Sequence, residues 1–288
     1  MKKGLVLLTI CVLSLVSLFM LLQCNASSKT NTSSLSIKGS DTMVHLVSSW
    51  AETFMKNNPG ADISVTGGGS GTGIAALLNG TTDIAAASRK IKEKELRLAA
   101  EKNIAVKEII VARDGIAVIV NAQNPINELT IGQLENIFTG TVNNWNSVDG
   151  PDENIVVLSR ESSSGTYVFF QKRVLNKKDY AAQARLMPAT SSIVQEVSAN
   201  PAAIGYVGLG YALEAGDDVK IIAVKNTAAA PAILPSAETV QSGKYSIARP
   251  LHLYVSGTME GLRKKFVDFA LSQDGQEIVA ETGYVKVK

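Results

Sequence analysis

The sequence contains few residues that can form covalent or metal cross-links. There are two cysteines and two histidines among 288 residues. Cys11 lies within the N-terminal apolar run, so its loss with a signal peptide would leave Cys24 without an internal disulfide partner. Zinc sites are usually built from clusters of Cys and His, and neither His45 nor His252 belongs to one in the sequence. The sequence therefore predicts a fold held together by packing, without a metal or another cofactor, and both histidines are interpreted as surface or structural residues.

An excess of charge of one sign is absent as well. The chain has 28 Lys and Arg against 26 Asp and Glu, and removal of residues 1–23 takes away two lysines and no acidic residue. A chain so close to neutral is unsuited to bind nucleic acid or to attach to membranes by bulk electrostatic attraction. Any site for an anion must therefore be local.

The N-terminal segment differs from the rest of the chain. Residues 4–22 form an almost uninterrupted apolar run after two lysines, which is typical of a secretory signal peptide. The run ends at Leu21-Leu22-Gln23-Cys24, which resembles the lipobox of bacterial lipoproteins, although Gly, Ala or Ser is usual before the cysteine. We predict a signal peptide at 1–23, lipidation of Cys24 and a polar tether over 24–36. The protein would then be exported and anchored to the cell envelope, in the periplasm or on the outer face of the cytoplasmic membrane. An uncleaved N-terminal helix and ordinary signal cleavage nearby are the alternatives.

From residue 35 onward, short apolar segments typical of strands alternate with segments typical of helices, which indicates an α/β protein. The predicted strands lie at 35–38, 62–66, 83–87, 106–111, 115–120, 155–159, 203–207, 219–224 and 251–255. The predicted helices lie at 43–56, 73–79, 91–103, 130–138, 167–175, 261–271 and 273–281. The length suits two lobes better than one large sheet.

Three clusters of Gly, Ser and Thr lie between a predicted strand and a predicted helix, at 39–42, 67–73 and 162–166. Glycine lets the backbone approach a ligand closely, Ser and Thr donate hydroxyls, and a helix N-terminus carries unpaired N–H groups. Any one cluster is also typical of an ordinary capped helix. Three of them, with Arg160 four residues before Ser164, indicate a site for a tetrahedral oxyanion.

The same clusters do not fit the common catalytic motifs. A P-loop requires Lys after its last Gly, and Gly73 is followed by isoleucine. The motif G-x-S-x-G fails around both Ser70 and Ser164, since Thr72 and Thr166 occupy the final glycine position. A phosphatase or serine hydrolase would need a general base beside either serine, and no His is near them in sequence. We therefore predict that the chain is not an enzyme.

Several segments occur in the order found in a known family. They are Gly39–Met43, Gly67–Gly73, Ala87–Arg89, Leu134–Gly140 with Trp145, Arg160–Thr166 and Ala203–Tyr206. In these segments the sequence resembles the phosphate-binding receptors of bacterial ABC importers, over about residues 37–287. The resemblance implies the two-lobed periplasmic-binding-protein fold (type II), each lobe a mixed sheet flanked by helices. The first lobe would comprise 37–114 and 250–288, and the second 115–249, with hinge closure on the ligand.

The resemblance also implies a function and a set of site residues. The protein would capture inorganic phosphate with high affinity outside the cytoplasmic membrane, as a monomer, and deliver it to the membrane subunits of an ABC importer. Another tetrahedral oxyanion (sulfate, molybdate or a phosphate ester) is the alternative ligand, and an additional surface role stays open. The implied phosphate-binding residues are Ser40, Asp41, Thr42, Met43, Ser70, Gly71, Thr72, Ser88, Arg89, Arg160, Ser164, Gly165 and Thr166.

Arg89 departs from the family pattern. Members of the family have Asp at this position, and its carboxylate accepts the proton of the bound phosphate. Our hypothesis is that Asp41 supplies this acceptor, while Arg89 balances its charge or touches the anion. The alternatives are that Asp41 caps the helix that follows it, and that Arg89 forms an ion pair with a nearby Glu.

The lipidation hypothesis can be tested with Cys24→Ala. We expect this variant to be released from membranes or to remain unprocessed, because the lipidated cysteine would be the attachment point of a tether of roughly ten polar residues. Membrane fractionation and the mass of the mature protein check the prediction. A variant that stays in the membrane with an unchanged mature mass would contradict it.

Overall fold

The computed structural model describes residues 33–287, in which strands and helices alternate along the chain. The strands are β1 (Ser33–Gly39), β2 (Ala61–Thr66), β3 (Ile84–Ala87), β4 (Val106–Asn121), β5 (Glu128–Thr130), β6 (Val156–Arg160), β7 (Arg185–Met187), β8 (Ala203–Gly208), β9 (Val219–Ile221), β10 (Ala223–Lys225) and β11 (Ala248–Ser256). The helices are α1 (Val44–Asn57), α2 (Ser70–Leu78), α3 (Glu93–Glu101), α4 (Ile131–Phe138), α5 (Gly165–Arg173), α6 (Thr190–Ala199), α7 (Leu209–Glu214), α8 (Ala237–Gln241), α9 (Gly261–Ala270) and α10 (Gln273–Glu281).

The predicted signal peptide, Cys24 and most of the tether lie outside the described residues. The tether prediction overlaps the structure only at its end, where residues 33–36 belong to β1 and Leu35 is buried. Within residues 33–287, no helix combines the length and the apolar character needed to cross a bilayer.

One long strand, β4, connects two parts of a mixed sheet. The sheet runs in the order β2-β1-β3-β11-β4-β8-β6-β7, with β9 also paired to β4. Residues 106–115 of β4 pair with β11, and residues 116–120 pair with β8. The sequence predicted two separate apolar runs here, but the polar residues between them continue the strand because Asp114 is fully buried and paired.

We call the part of the sheet from β2 to residue 115 of β4, with α1–α3, α9 and α10, the first half. The remainder, from residue 116 of β4 to β7 with α4–α8, is the second half. The mixed α/β architecture predicted from the alternation of segments is confirmed. The predicted lobe boundaries near residues 115 and 250 fall within β4 and β11, and they stay a prediction.

Each half buries apolar side chains on both faces of its sheet. In β3, Ile84 and Ala86 pack with Trp50 and Phe54, whereas Ala85 and Ala87 pack in a different cluster with α2. In β4, Val118 and Val120 likewise belong to one cluster and Ala117 and Ile119 to another. Successive strand residues point to opposite faces, so every one of these positions is apolar, as expected for a sheet covered on both sides.

Helix α2 begins three residues earlier than predicted and lies directly against the end of β1. Its N-terminus follows two glycines with positive φ, Gly68 (108°) and Gly69 (102°). A Cβ built on Gly73 would lie 2.3 Å from the carbonyl oxygen of Lys38, so a glycine is required at this contact. The contact sets the position of Ser70 in the first turn of the helix.

We expect Gly73→Ala to lower the free energy of unfolding by about 1–3 kcal/mol, because the added methyl group would push α2 away from β1. Gly132→Ala in α4 is the matched control, since its Cβ would have no neighbour closer than 3.9 Å. The control should be neutral or slightly more stable, as Ala is the better helix former. Urea unfolding of both variants checks the prediction, and equal stabilities would contradict it.

Candidate anion-binding site

Three helix N-termini meet where the two halves of the molecule come together. From the first half come the 3₁₀ turn Asp41–Met43, which leads into α1, and the start of α2. The second half contributes the start of α5. The hydroxyls of Thr42 and Thr166 lie 2.7 Å apart across the boundary, and both side chains are buried. The three Gly/Ser/Thr clusters singled out in the sequence are therefore brought to one place.

A group of buried serines lies at the same meeting point. The Oγ of Ser88 is 2.8 Å from that of Ser40 and 3.3 Å from that of Ser70, whose oxygen also accepts from the N–H of Ser88 at 3.0 Å. All three serines are at most 3% exposed. Buried hydroxyls at helix N-termini can donate to the acceptor oxygens of an anion.

Gly165 allows the halves to approach this closely. A Cβ built on it would lie 2.3 Å from the Oγ of Ser70 and 2.6 Å from that of Ser88.

The preceding residue, Ser164, caps α5, because its Oγ accepts from the N–H groups of Thr166 (3.1 Å) and Tyr167 (3.4 Å). As its oxygen is the acceptor in both bonds, the hydroxyl proton of Ser164 stays available as a donor.

Other donors predicted for the anion have acceptors within the protein. The N–H of Met43 donates to the carbonyl of Ser40 at 3.0 Å and thereby closes the 3₁₀ turn. The N–H of Gly71 donates across the boundary to the carbonyl of Ser163 at 2.9 Å. The hydroxyl of Thr72 donates to the carbonyl of Gly68 at 2.8 Å. Each of these three groups therefore has a backbone acceptor in the protein.

Arg160 is 2% exposed and ends strand β6. Its guanidinium donates to the hydroxyl of Thr190 (2.6 Å) and to the carbonyls of Pro188 (2.8 Å) and Met187 (3.2 Å). Burial lowers the pKa of Arg160, while the nearby carboxylate of Asp41 opposes that effect. An arginine keeps its charge even so, and this site therefore holds a buried positive charge.

Asp41 holds the second half rather than its own helix. Its Oδ2 accepts from the N–H of Thr190 at 2.6 Å, and it lies 3.3 Å from Nη1 of Arg160. The carboxylate thus caps α6 from across the boundary, whereas the turn Asp41–Met43 has no side-chain cap. The reading of Asp41 as a cap for the helix that follows it is wrong, because the carboxylate is drawn to the buried arginine and to an N–H of the other half.

Arg89 is paired with Glu95. The two side chains form a two-point contact with N–O distances of 2.8 and 2.7 Å, and Arg89 is 7% exposed. The alternative of an ion pair with a nearby Glu is confirmed, and the hypothesis that Arg89 balances the charge of Asp41 or touches the anion stays a prediction. Burial by itself would raise the pKa of Glu95, but hydrogen bonds from Arg89 and from the N–H of Lys92 bring it below its ordinary value.

A second buried arginine at the site escaped the sequence reasoning. Arg249 of β11 pairs with Asp114 of β4 at 2.9 Å and also donates to the hydroxyl of Thr166 at 3.0 Å. Burial raises the pKa of Asp114, and Arg249 opposes that effect. The available signal was a charged residue just before each of two predicted apolar strands, Asp114 before 115–120 and Arg249 before 251–255.

The two histidines have no part in this constellation. His45 is exposed and lies 2.9 Å from Glu214, and His252 is buried with Glu108 at the same distance. The predicted surface or structural roles agree with these positions. Among residues 33–287, no group of three or more His, Cys, Asp and Glu side chains is placed to hold a metal ion.

Comparison with known proteins identifies the family to which this chain belongs. The sequence model of the PBP superfamily domain matches residues 25–274. The phosphate-binding protein PstS of Staphylococcus haemolyticus is 34% identical over 86% of this chain and 79% of its own length. This chain belongs to the PstS family of phosphate-binding proteins. PstS of Staphylococcus aureus is also 34% identical, over 86% of this chain and 76% of its own length.

Solved structures of the family share the fold. A phosphate ABC transporter substrate-binding protein from Clostridium perfringens, solved with bound phosphate, is 32% identical with a TM-score of 0.81, over 89% of this chain and 100% of that one. An ABC-type phosphate transport receptor from Vibrio cholerae is 28% identical with a TM-score of 0.69, over 87% and 99%. The predicted two-lobed periplasmic-binding-protein fold is confirmed, and these relatives are solute-binding proteins rather than enzymes.

The pairing of Glu95 with Arg89 predicts a pH-dependent contribution to stability. Since folding lowers the pKa of Glu95 from 4.5, the pair stabilises the protein above that value and loses its effect as the pH falls through the lower folded-state pKa. We expect Glu95→Gln to cost about 1–3 kcal/mol at neutral pH. The difference from wild type should shrink below about pH 4.

Urea unfolding at several pH values measures this difference. Glu93→Gln, which changes an exposed glutamate in the same turn of α3, is the control and should change stability by less than about 0.5 kcal/mol. A cost of Glu95→Gln that is the same at all pH values would show that charge is not the cause.

Proposed function

We propose that this protein captures inorganic phosphate at the boundary between its two halves and delivers it to the membrane subunits of an ABC importer. The observation that carries the proposal is the meeting of three helix N-termini at the buried Thr42–Thr166 contact. Membership of the PstS family and the likeness to the phosphate-bound Clostridium perfringens protein support the same ligand.

The chemistry of the boundary suits a tetrahedral oxyanion. Hydroxyls at the boundary can turn their protons toward acceptor oxygens, and helix N-termini add partial positive charge. The guanidinium of Arg160, 2% exposed, adds a full charge where solvent screens it little. Because the whole chain is close to neutral, the attraction for an anion arises at this place and not from bulk charge.

The predicted site residues divide into three groups under this proposal. Direct contacts would come from Ser40, Thr42, Ser70, Ser88, Arg160, Ser164, Gly165 and Thr166. The donors of Met43, Gly71 and Thr72 would join only by exchanging their present acceptors. Asp41 and Arg89 would act indirectly, Asp41 by holding Arg160 and Arg89 by holding the first turn of α3 through Glu95.

The transport role requires two states of the same molecule. We propose that the lobes 37–114 with 250–288 and 115–249 close on phosphate by movement about β4 and β11, and that the importer recognises the closed form. No bond is made or broken in this cycle. The protein would act as an exported monomer, held at the cell envelope by a lipid on Cys24.

The proposal predicts that Gly165→Ala weakens phosphate binding by about 100-fold or more, since steric overlap costing about 3 kcal/mol corresponds to that factor. The added methyl group would meet Ser70 and Ser88 and hold the halves apart. Calorimetry on ligand-stripped protein measures the effect, and Gly132→Ala is the control that should bind like wild type.

Parallel titrations with sulfate and molybdate identify the anion. Wild type should bind phosphate the most tightly. Tighter binding of another oxyanion would reassign the ligand. The proposed function would be refuted if no binding of phosphate were detected.

A further inference from the structure

Arg249 and Asp114 form a buried ion pair beside the hydroxyl contact that joins the halves. They are 3% and 0% exposed. Oδ2 of Asp114 accepts from Nη2 and Nε of Arg249 at 2.9 and 3.2 Å, and Oδ1 accepts from the N–H of Leu209 at 3.1 Å. With both oxygens engaged, the carboxylate fixes the guanidinium in one position.

Held in this way, Arg249 also donates to Thr166. The distance from Nη2 to the Oγ1 of Thr166 is 3.0 Å. A hydroxyl has one proton and two lone pairs, and a guanidinium can only donate. Arg249 therefore occupies one lone pair of Thr166, and the hydroxyl proton is directed away from Arg249. Thr42 lies 2.7 Å from this hydroxyl, and either of the two threonines can be the donor in that contact.

An oxyanion changes the partners of the two threonines. Its oxygens accept hydrogen bonds, so Thr42 and Thr166 can both bind it only by turning their protons away from each other. Thr166 can do so without leaving its oxygen unpaired in a buried place, because the bond from Arg249 persists. A bond from a charged donor also polarises the hydroxyl and strengthens the bond that it donates.

The remaining contacts of Arg249 keep its charge near the start of α5. Its guanidinium carbon lies 5.4 Å from the ring centre of Phe169, in the turn of α5 that follows Thr166. Nη1 is buried and has no hydrogen-bond partner among the described residues. An anion held by Thr166 would be within about 6 Å of Nη2, the length of two hydrogen bonds.

We propose that Arg249, fixed by Asp114, is a positioning residue that commits the Thr166 hydroxyl to donate to the bound anion. The inference rests on the proposed phosphate function and adds Arg249, acting through Thr166, to the predicted arginines Arg89 and Arg160.

A double-mutant cycle with phosphate separates this role from a general structural one. Arg249→Lys keeps a positive charge beside Asp114 but loses the planar guanidinium that donates to both Asp114 and Thr166. We expect this variant to raise the Kd for phosphate about tenfold. In a Thr166→Val background the same change should alter the Kd less than twofold, because the hydroxyl through which Arg249 acts is gone. In a Thr166→Ser background, which keeps a hydroxyl, the effect should return. Titrations of the weaker variants extend to millimolar phosphate so that a Kd is measured for every variant in the cycle.

Each outcome of the cycle has a definite meaning. The positioning role would be overturned if Arg249→Lys weakened phosphate binding equally in the Thr166→Val and wild-type backgrounds. It would also be overturned if Arg249→Lys did not weaken binding in the wild-type background. Melting curves without phosphate show whether Arg249→Lys is folded, and Asp114→Asn replaces it in the cycle if it is not. Failure of both to fold would make the pair structural and overturn the proposal. Wild type that binds no phosphate would refute the proposed function and this inference together, whereas a binding wild type with an additive cycle refutes the inference alone.

Discussion

Buried N–H and O–H groups need acceptors, and this requirement governs the centre of the molecule. Three helix N-termini meet there, and the structure supplies protein acceptors for many of their donors. The oxygen of Ser164 caps α5, and the carbonyl of Ser163 takes the N–H of Gly71. Hydroxyl protons and two arginines add further donors to the same place. An anion with several acceptor oxygens is the kind of ligand that such a surplus of donors can hold.

The fold produces this meeting through β4 and β11. These two paired strands run through the middle of the sheet, and residues from each end of β4 pack into different cores. Because covered faces demand apolar residues on both sides, a charged residue in these strands is costly unless it is paired. Asp114 and Arg249 meet that condition because they lie directly opposite each other in the β4–β11 pair and form an ion pair. The pair thereby places a charge at the boundary without exposing it to water.

Many of the helices, and the helix starts at the candidate site, could be predicted from local sequence. Hydrophobic periodicity identified α1, and the capping box of Thr130 identified α4, because both signals lie within a few residues. The Gly/Ser/Thr clusters identified the helix starts that the structure brings together. The partners of charged side chains could not be predicted, since Asp41 reaches Thr190 over 149 positions of the chain and Arg249 reaches Asp114 over 135. Helix α6 was missed for a related reason, as its own N-cap residue is Ala189 and the carboxylate that caps it comes from the other half.

The cap that Asp41 provides to α6 has a consequence for the proposed closure of the lobes. Most helices carry their capping group in the adjacent sequence, so their ends are stable whatever the rest of the protein does. The first turn of α6 instead depends on Asp41, which belongs to the opposite half. If the halves separate, the N–H of Thr190 must turn to water and Arg160 loses its nearest carboxylate. In the proposed closure, the approach of the two halves would therefore complete the first turn of a helix and the pairing of a buried arginine as well as the binding site.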